Sequence, residues 1–310
     1  MIENEGPKIG VITVTYNSDE HLDEFIKSVN HQNYKNFFLY FVDNHSKDGT
    51  INNISKVNSN NVKIIQNQKN LGIATANNQG ITSAINDGCE FILLLNNDTS
   101  FSKNLFRKLV DGIKEEDADI VAPLTHYYDN RNYIWSAGGK FDSFFQCRVK
   151  HIGFKEKNVG QYADRKRITY APASCLLFKK SLINDIGLMD DNYFVYLDDV
   201  DFCYRATIIK KKKMIYLPEI NFYHKVGAYT NKDRLKFKSD FVIEYMTRNT
   251  VYFCMKYFNL RKLAYLFIFF LKENVKIILN REYKRSINSF VLFNKSFLKG
   301  FFVNDSFQKN

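Results

Sequence analysis

Short apolar runs separated by amphipathic stretches open the chain. Residues 8–16, 37–42, 62–65 and 91–95 are rich in β-branched, aromatic and leucine side chains and are bounded by turn formers. That pattern predicts strands, with 8–16 buried and 91–95 buried on both faces. After the first run, Leu22, Phe25, Ile26 and Val29 fall on one helical face, with Ser18 as the expected N-cap and Asp19 and Glu20 in the first turn. Residues 51–57 suggest a short helix. Residues 73–86 predict a longer one that buries Ile73, Ala76, Ile81, Ala84 and Ile85. Strand and helix alternate, which predicts an α/β fold with a mostly parallel sheet and helices on both faces.

Beyond Asp98 the pattern loosens. An amphipathic helix is expected over 105–113 and a strand over 119–122, stopped by Pro123. Residues 124–167 read as short antiparallel strands and loops. A strand follows at 173–178, then a helix capped by Ser181 that runs to Ile186, before Gly187. Asp198 and Asp199 begin a helix reaching about Ile209, closed by the lysines at 210–213, where positive charge suits the dipole. A strand at 214–217 stops at Pro218. From Asp233 the chain reads as helical and basic, with Phe237, Phe241, Tyr245, Arg248, Tyr252 and Met255 at helical intervals. Residues 257–308 continue with Phe, Leu and Ile among Lys and Arg. No internal repeat or low-complexity linker interrupts the chain.

Three of the early strands end in polar clusters, at 15–17, 43–48 and 96–98. Parallel strands end on one edge of the sheet, so these clusters are expected to converge on one crevice. Turn residues also collect at strand ends for purely local reasons, so each cluster alone says little. Asp98, at the end of the most apolar strand, is well placed to hold a divalent cation. Asp198, Asp199 and Asp201 put three carboxylates within four residues. N-capping accounts for some of that, while their repulsion favours a nearby cation or proton acceptance.

Composition narrows the setting. The 310 residues, 45% apolar and 25% charged, fit a globular protein of one large or two small domains. The five cysteines stand far apart with no CxxC pair. This argues against a disulfide framework or zinc site and for a reducing compartment, with the cysteines as core fillers. The first ten residues carry no signal pattern. The longest apolar run, 263–271, falls short of the ~20 residues that span a bilayer, so a cytoplasmic protein without a spanning helix is expected. The charge is uneven: residues 202–310 hold 22 Lys and Arg against 7 Asp and Glu, leaving 22 against 26 in the remainder. A basic tail can meet nucleic acid, an anionic membrane or a phosphate-bearing substrate. No nucleic-acid module is recognisable. Tyr265 to Leu271 with Arg261, Lys262, Lys272, Lys276, Arg281, Lys284 and Arg285 mixes rings and cations as interfacial helices do, so a membrane surface is the expected partner.

Five motifs occur in a telling order: Thr15-Tyr16-Asn17, VDNHSKDGT at 42–50, NLGIATANNQG at 70–80, LNND at 95–98 and YLDDVDFCYR at 196–205. Together they resemble the large inverting nucleotide-sugar glycosyltransferase family with the GT-A fold (family 2 type). The resemblance is strongest to its rhamnosyltransferase-like branch, which builds bacterial surface polysaccharides, and covers roughly residues 8–230. It implies a GT-A domain over 1–230, with a nucleotide-sugar-binding half (1–122) and an acceptor half (123–230), followed by a basic helical extension over 231–310. It implies that Asp43 accepts a hydrogen bond from the nucleobase imide, with Thr15, Tyr16, Asn17, Asn44 and Gly72 around the donor and Asn78 holding nucleotide or sugar. Asn96, Asn97 and Asp98 then occupy the place of the family's DXD motif, with Asp98 on a Mg²⁺ or Mn²⁺ ion, and His224 matches a late histidine that completes the metal or diphosphate site. Asp199 becomes the general base that deprotonates the acceptor hydroxyl.

Two departures stand out. The first DXD position is Asn96, which leaves one carboxylate for the metal. The usual Glu-Asp pair is Asp198-Asp199, which keeps both aspartates open as the base. Arg205 is expected to pair with Asp201 or its neighbours. The resemblance implies a UDP- or dTDP-sugar donor (dTDP-rhamnose, UDP-galactose and UDP-N-acetylhexosamines all stay open) and a glycan acceptor, expected on a polyprenyl carrier. A binding protein on the same fold without catalysis, and a nucleotidyltransferase-like enzyme, are the alternatives. The carboxylates at 198–201 weigh against the first, and the missing Gly-rich phosphate loop after the first strand weighs against the second.

Overall fold

In a computed structural model the described residues are 6–57, 61–225, 238–279 and 287–303. The expectations at 233–237, at Arg281, Lys284 and Arg285, and at 304–308 lie outside them.

The amino-terminal half alternates as its pattern predicts: β1 (Ile9–Thr15), α1 (Leu22–Asn30), β2 (Phe37–Asp43), α2 (Thr50–Ile54), β3 (Val62–Gln66), α3 (Ile73–Asn86) and β4 (Phe91–Leu95). There follow β5 (Thr99–Phe101), α4 (Leu105–Glu115), β6 (Ile120–Tyr127), β7 (Ile134–Ser136), β8 (Gly139–Phe141), β9 (Val149–His151) and β10 (Lys166–Ile168). Then come β11 (Cys175–Lys179), α5 (Ser181–Ile186), α6 (Asp198–Tyr204), β12 (Met214–His224), α7 (Asp240–Lys256), α8 (Leu260–Ile278) and α9 (Ile287–Phe301). A π-helical turn at Arg205–Ile209 carries α6 to its expected end.

The main sheet runs β10-β12-β6-β11-β4-β1-β2-β3. Six of these eight strands share one direction, and only β11 and β10 run against it. The sheet is therefore mostly parallel and flanked by helices. All five residues of β4 are buried, as its unbroken apolar run requires. One face packs on α1 and α4 through Phe25, Leu105 and Leu109. The other packs on α3, α6 and α7 through Ala84, Phe202, Val251 and Phe253. Gly10 and Gly80 let α3 approach β1. A Cβ at Gly10 would lie 2.4 Å from that of Ala84, and one at Gly80 2.6 Å from Ile12.

Some local expectations fail, each for a physical reason. Neither proline stops its strand. β6 continues through Pro123 and β12 through Pro218, because Pro123 lies past the last β11 partner, Val121, and because β12 shifts register between Leu217 and Asn221. Proline's missing N–H is tolerated at such irregularities. Ser18 does not cap α1, whose N-cap is His21. The Ser18 hydroxyl instead accepts hydrogen bonds from the Tyr16 N–H and the Asn97 amide. Ser181 is the first residue of α5 and makes no cap hydrogen bond. The carboxy-terminal helices are not set apart from the body, since α7 contributes Val251, Phe253 and Cys254 to the same core as β4 and α3.

Candidate active site

The lip formed by the carboxyl ends of β1, β2, β4 and β12 gathers most of the expected residues. At the end of β2, Asp43 is almost fully buried. One of its carboxylate oxygens accepts hydrogen bonds from the hydroxyls of Thr15 (2.9 Å) and Ser46, and the other accepts the Ser46 N–H at 2.9 Å. Each oxygen has two lone pairs, so the second retains acceptor capacity. Tyr16, 44% exposed, stands beside it at the rim. Asn17 takes a left-handed backbone, φ 47°, and its side-chain oxygen accepts the Lys47 N–H at 2.8 Å, tying the β1 turn to the 43–48 loop.

Three asparagines of the expected donor site tie neighbouring segments together. Asn44 donates to the Gly72 carbonyl at 3.0 Å. Asn97, buried, donates to the Val14 carbonyl at 2.7 Å and to Ser18. Asn78, expected to hold nucleotide or sugar, gives both ends of its amide to Met189, whose carbonyl it meets at 2.8 Å and whose N–H it accepts at 2.9 Å. Gly72 has φ 85°, and a Cβ there would lie 2.5 Å from the Phe194 carbonyl. Glycine is what lets the start of α3 press against the segment leading to Asp198, where the Ile73 N–H bonds the same carbonyl at 2.7 Å.

Asp98 and His224 meet, as β12 ends beside β5 with His224 opposite Thr99. The His224 Nε2 lies 3.1 Å from Asp98 Oδ1. The two are close but out of hydrogen-bonding alignment, so Asp98 Oδ1 stays buried without a hydrogen-bond partner, as does His224 Nδ1. Leaving a buried carboxylate oxygen unmet is costly. A divalent cation taking one oxygen and one imidazole ligand would relieve it. Among the described residues no group of three or more His, Cys, Asp or Glu could hold an ion, so such a cation needs further oxygens from its ligand. Asn96, two residues before Asp98, donates its N–H to the Ser174 carbonyl at 3.0 Å. Trp135, the single tryptophan, sets its ring edge-on to His224 at 4.7 Å.

The carboxylates at 198–201 divide their tasks. Asp201 is fully buried and pairs with Arg205 at 2.8 Å and Lys256 at 2.9 Å, as expected for Arg205. Asp199 reaches back toward the sheet, where its Oδ2 accepts the Tyr170 hydroxyl at 3.0 Å and the Ala173 N–H at 3.4 Å. Burial raises the Asp199 pKa above the ordinary carboxylate range, opposed by those two donors. Asp198 is raised as well, first by burial and then by the neighbouring Asp199 charge. The Ala173–Ser174 turn thus touches Asp199 on one side and Asn96 on the other.

Sequence reasoning missed Tyr170, His151, whose ring lies 5.4 Å from that of Tyr170, and Trp135. Trp135 and His151 lie in the loosely patterned stretch 124–167 and Tyr170 just beyond it, where no period singles out a side chain. It also missed Asn249 and Lys256. Their signal was there, as polar residues at core-facing positions of α7.

Residues 10–187 match the family described as Glycosyl transferase family 2. The dTDP-rhamnosyl transferase RfbF of Shigella flexneri is 25% identical over 223 residues, covering 71% of this chain and 69% of that protein. The N-acetylglucosaminyl-diphospho-decaprenol L-rhamnosyltransferase of Mycobacterium tuberculosis is 24% identical over 242 residues, 72% of this chain and 78% of its own. The chain spans about two thirds of the length of the first curated relatives it matches, 66% and 69%. The crystal structure of GalNAc-T7 with UDP, GalNAc and Mn²⁺ superposes with a TM-score of 0.57 at 16% identity, over 72% of this chain and 44% of that one.

Proposed function

The chain belongs to glycosyl transferase family 2, and from that premise we propose that it is an inverting glycosyltransferase. It moves a sugar from a UDP- or dTDP-sugar to a glycan acceptor in the synthesis of a bacterial surface polysaccharide. The observation that carries this reading is the pairing of two unlike acidic sites across the Ala173–Ser174 turn. On one side are Asp98 and His224 with an unmet buried oxygen; on the other is Asp199 with a raised pKa.

In this reading Asp43 receives the base imide N–H, with Thr15, Tyr16 and Asn17 around the ring. Asp98 and His224 would hold Mn²⁺ or Mg²⁺ with the donor diphosphate; bound there, the ion would neutralise charge gathering on the leaving group. Asp199 takes the proton of the acceptor hydroxyl as its oxygen bonds to the anomeric carbon and the bond to the diphosphate breaks. A base on the face opposite the leaving group makes this a single, inverting displacement. The name of the GalNAc-T7 complex, with UDP and Mn²⁺, and that of RfbF, with dTDP-rhamnose chemistry, support the donor class.

The acceptor is a polyprenyl-linked glycan, in keeping with the decaprenol named for the mycobacterial relative. The protein meets it at the inner face of the membrane. Supporting this, α8 exposes Leu260, Leu263, Phe267, Leu271, Val275 and Ile278 along one stripe. The outer side of α9 and its end expose Phe290, Val291, Leu298 and Phe302 beside Lys295 and Lys299.

The test is release of nucleoside diphosphate from a panel of UDP- and dTDP-sugars with Mn²⁺. The wild type releases it, while Asp199→Asn is slower by roughly 10²–10⁴-fold. Release of pyrophosphate would point to nucleotidyl transfer, and an Asp199→Asn enzyme at full rate would remove Asp199 as base.

A further inference from the structure

The segment that presents Asp199 carries a backbone it would not adopt alone. Tyr196 and Leu197, directly before α6, both sit in the left-handed region, with φ 65° and 62°. Two successive non-glycine residues there are unfavourable and persist only when their surroundings hold them. The holding comes from α7, which lies outside the residues matched to the family. Asn249 is fully buried. Its amide nitrogen donates to the Val195 carbonyl at 2.8 Å and the Tyr196 carbonyl at 2.9 Å, the two peptides that lead into the strained pair. One turn earlier on the segment, the Arg248 guanidinium donates to the Asn192 carbonyl. Two turns further along α7, the buried Lys256 ammonium joins Asp190 at 2.6 Å to Asp201 at 2.9 Å. The Tyr252 and Tyr257 hydroxyls add 2.8 Å bonds to the same two carboxylates. Lys256 therefore bridges the start of the segment to α6 itself.

We propose that α7 acts as a template for the general-base segment. Asn249 and Lys256 are positioning residues that fix the direction in which α6 enters and so aim the Asp199 carboxylate at the acceptor oxygen. The inference rests on the reading of Asp199 as base and adds where its aim comes from. Positioning of this kind acts on the chemical step, because a displacement of about 1 Å at the reacting pair costs on the order of 10²-fold in rate. The nucleobase end of the donor site is held by other contacts (Thr15 and Ser46 around Asp43), so loss of an α7 contact should change donor affinity far less than the chemical step.

The experiment measures nucleoside diphosphate release from the best donor of the same panel, with kcat and donor KM determined separately for Asn249→Ala, Arg248→Gln, Lys256→Met, Lys256→Arg and Asp199→Asn. Asn249→Ala is expected to lower kcat by about 10²-fold while leaving donor KM within roughly twofold and the protein folded by circular dichroism. Arg248→Gln, at a half-buried position, moves kcat the same way by less. Lys256→Arg recovers rate that Lys256→Met loses. A folded Asn249→Ala enzyme at wild-type kcat overturns the proposal, and so does a donor KM that rises in step with the fall in kcat, the mark of general loosening. Asp199→Asn at full rate would instead show that the base assignment had failed, which separates the two readings.

Discussion

At the scale of single residues, the site is governed by what each polar group can still accept. Tyr170 is the clearest case. Its hydroxyl is one of the donors that hold the Asp199 pKa down against burial. Tyr170→Phe removes that donor, so the carboxyl titrates at higher pH. Since the base must be deprotonated, activity is lost as pH falls through its pKa. The acidic limb of the pH–rate profile should therefore move to higher pH in the variant, with the rate at alkaline pH largely retained. A limb that stays put would mean that Asp199 does not set it. Asp98 and His224 allow a direct reading of metal binding, because Trp135 is the single tryptophan and its ring touches His224. Mn²⁺ is paramagnetic and should quench Trp135 fluorescence at saturable concentrations, more strongly when UDP supplies the missing oxygens. His224→Ala should abolish the saturable phase; equal quenching in the variant would place the ion elsewhere.

At the scale of elements, packing decides over local propensity. Gly80 lies in the middle of α3, where alanine is intrinsically better by about 1 kcal/mol. The Cβ it would add meets Ile12 at 2.6 Å, on a stiff β-branched side chain of β1. Overpacking of this kind costs about 1–3 kcal/mol. Gly80→Ala should therefore lower the urea midpoint rather than raise it, and a rise would mean that α3 is free to move off the sheet. The prolines teach the same lesson. Pro123 and Pro218 predict strand ends from sequence, yet β6 and β12 run through them, because only the neighbouring strands determine whether the lost N–H had a partner.

At the scale of the whole molecule, the uneven charge and the outer faces of α8 and α9 belong together. Glu273, Ile277 and Phe293 turn inward, while Phe267, 64% exposed, and Phe302, 83% exposed, face out. Apolar stripes rimmed by cations bind anionic bilayers through burial and charge together. The protein should float with vesicles containing phosphatidylglycerol and stay down with neutral ones. Replacing Phe267 and Leu271 by serine should release it without touching donor turnover in solution. Equal flotation of the variant would remove these helices from membrane contact.

The amino-acid sequence determined what depends on neighbours along the chain. An unbroken apolar run such as 91–95 has nowhere to go but a buried strand, and alternation with amphipathic stretches fixes a parallel α/β sheet. Its strand ends then carry Asp43 and Asp98 to one edge, and the order of motifs marked the family. Tertiary structure alone decided which polar groups still have something to offer. Asn78 and Asn97 set their amides on backbone partners from distant segments, because a buried polar group must be met by whatever the fold brings alongside. Tyr170 and Trp135 came to the site from stretches with no legible signal, since contacts between distant segments leave no period in the chain.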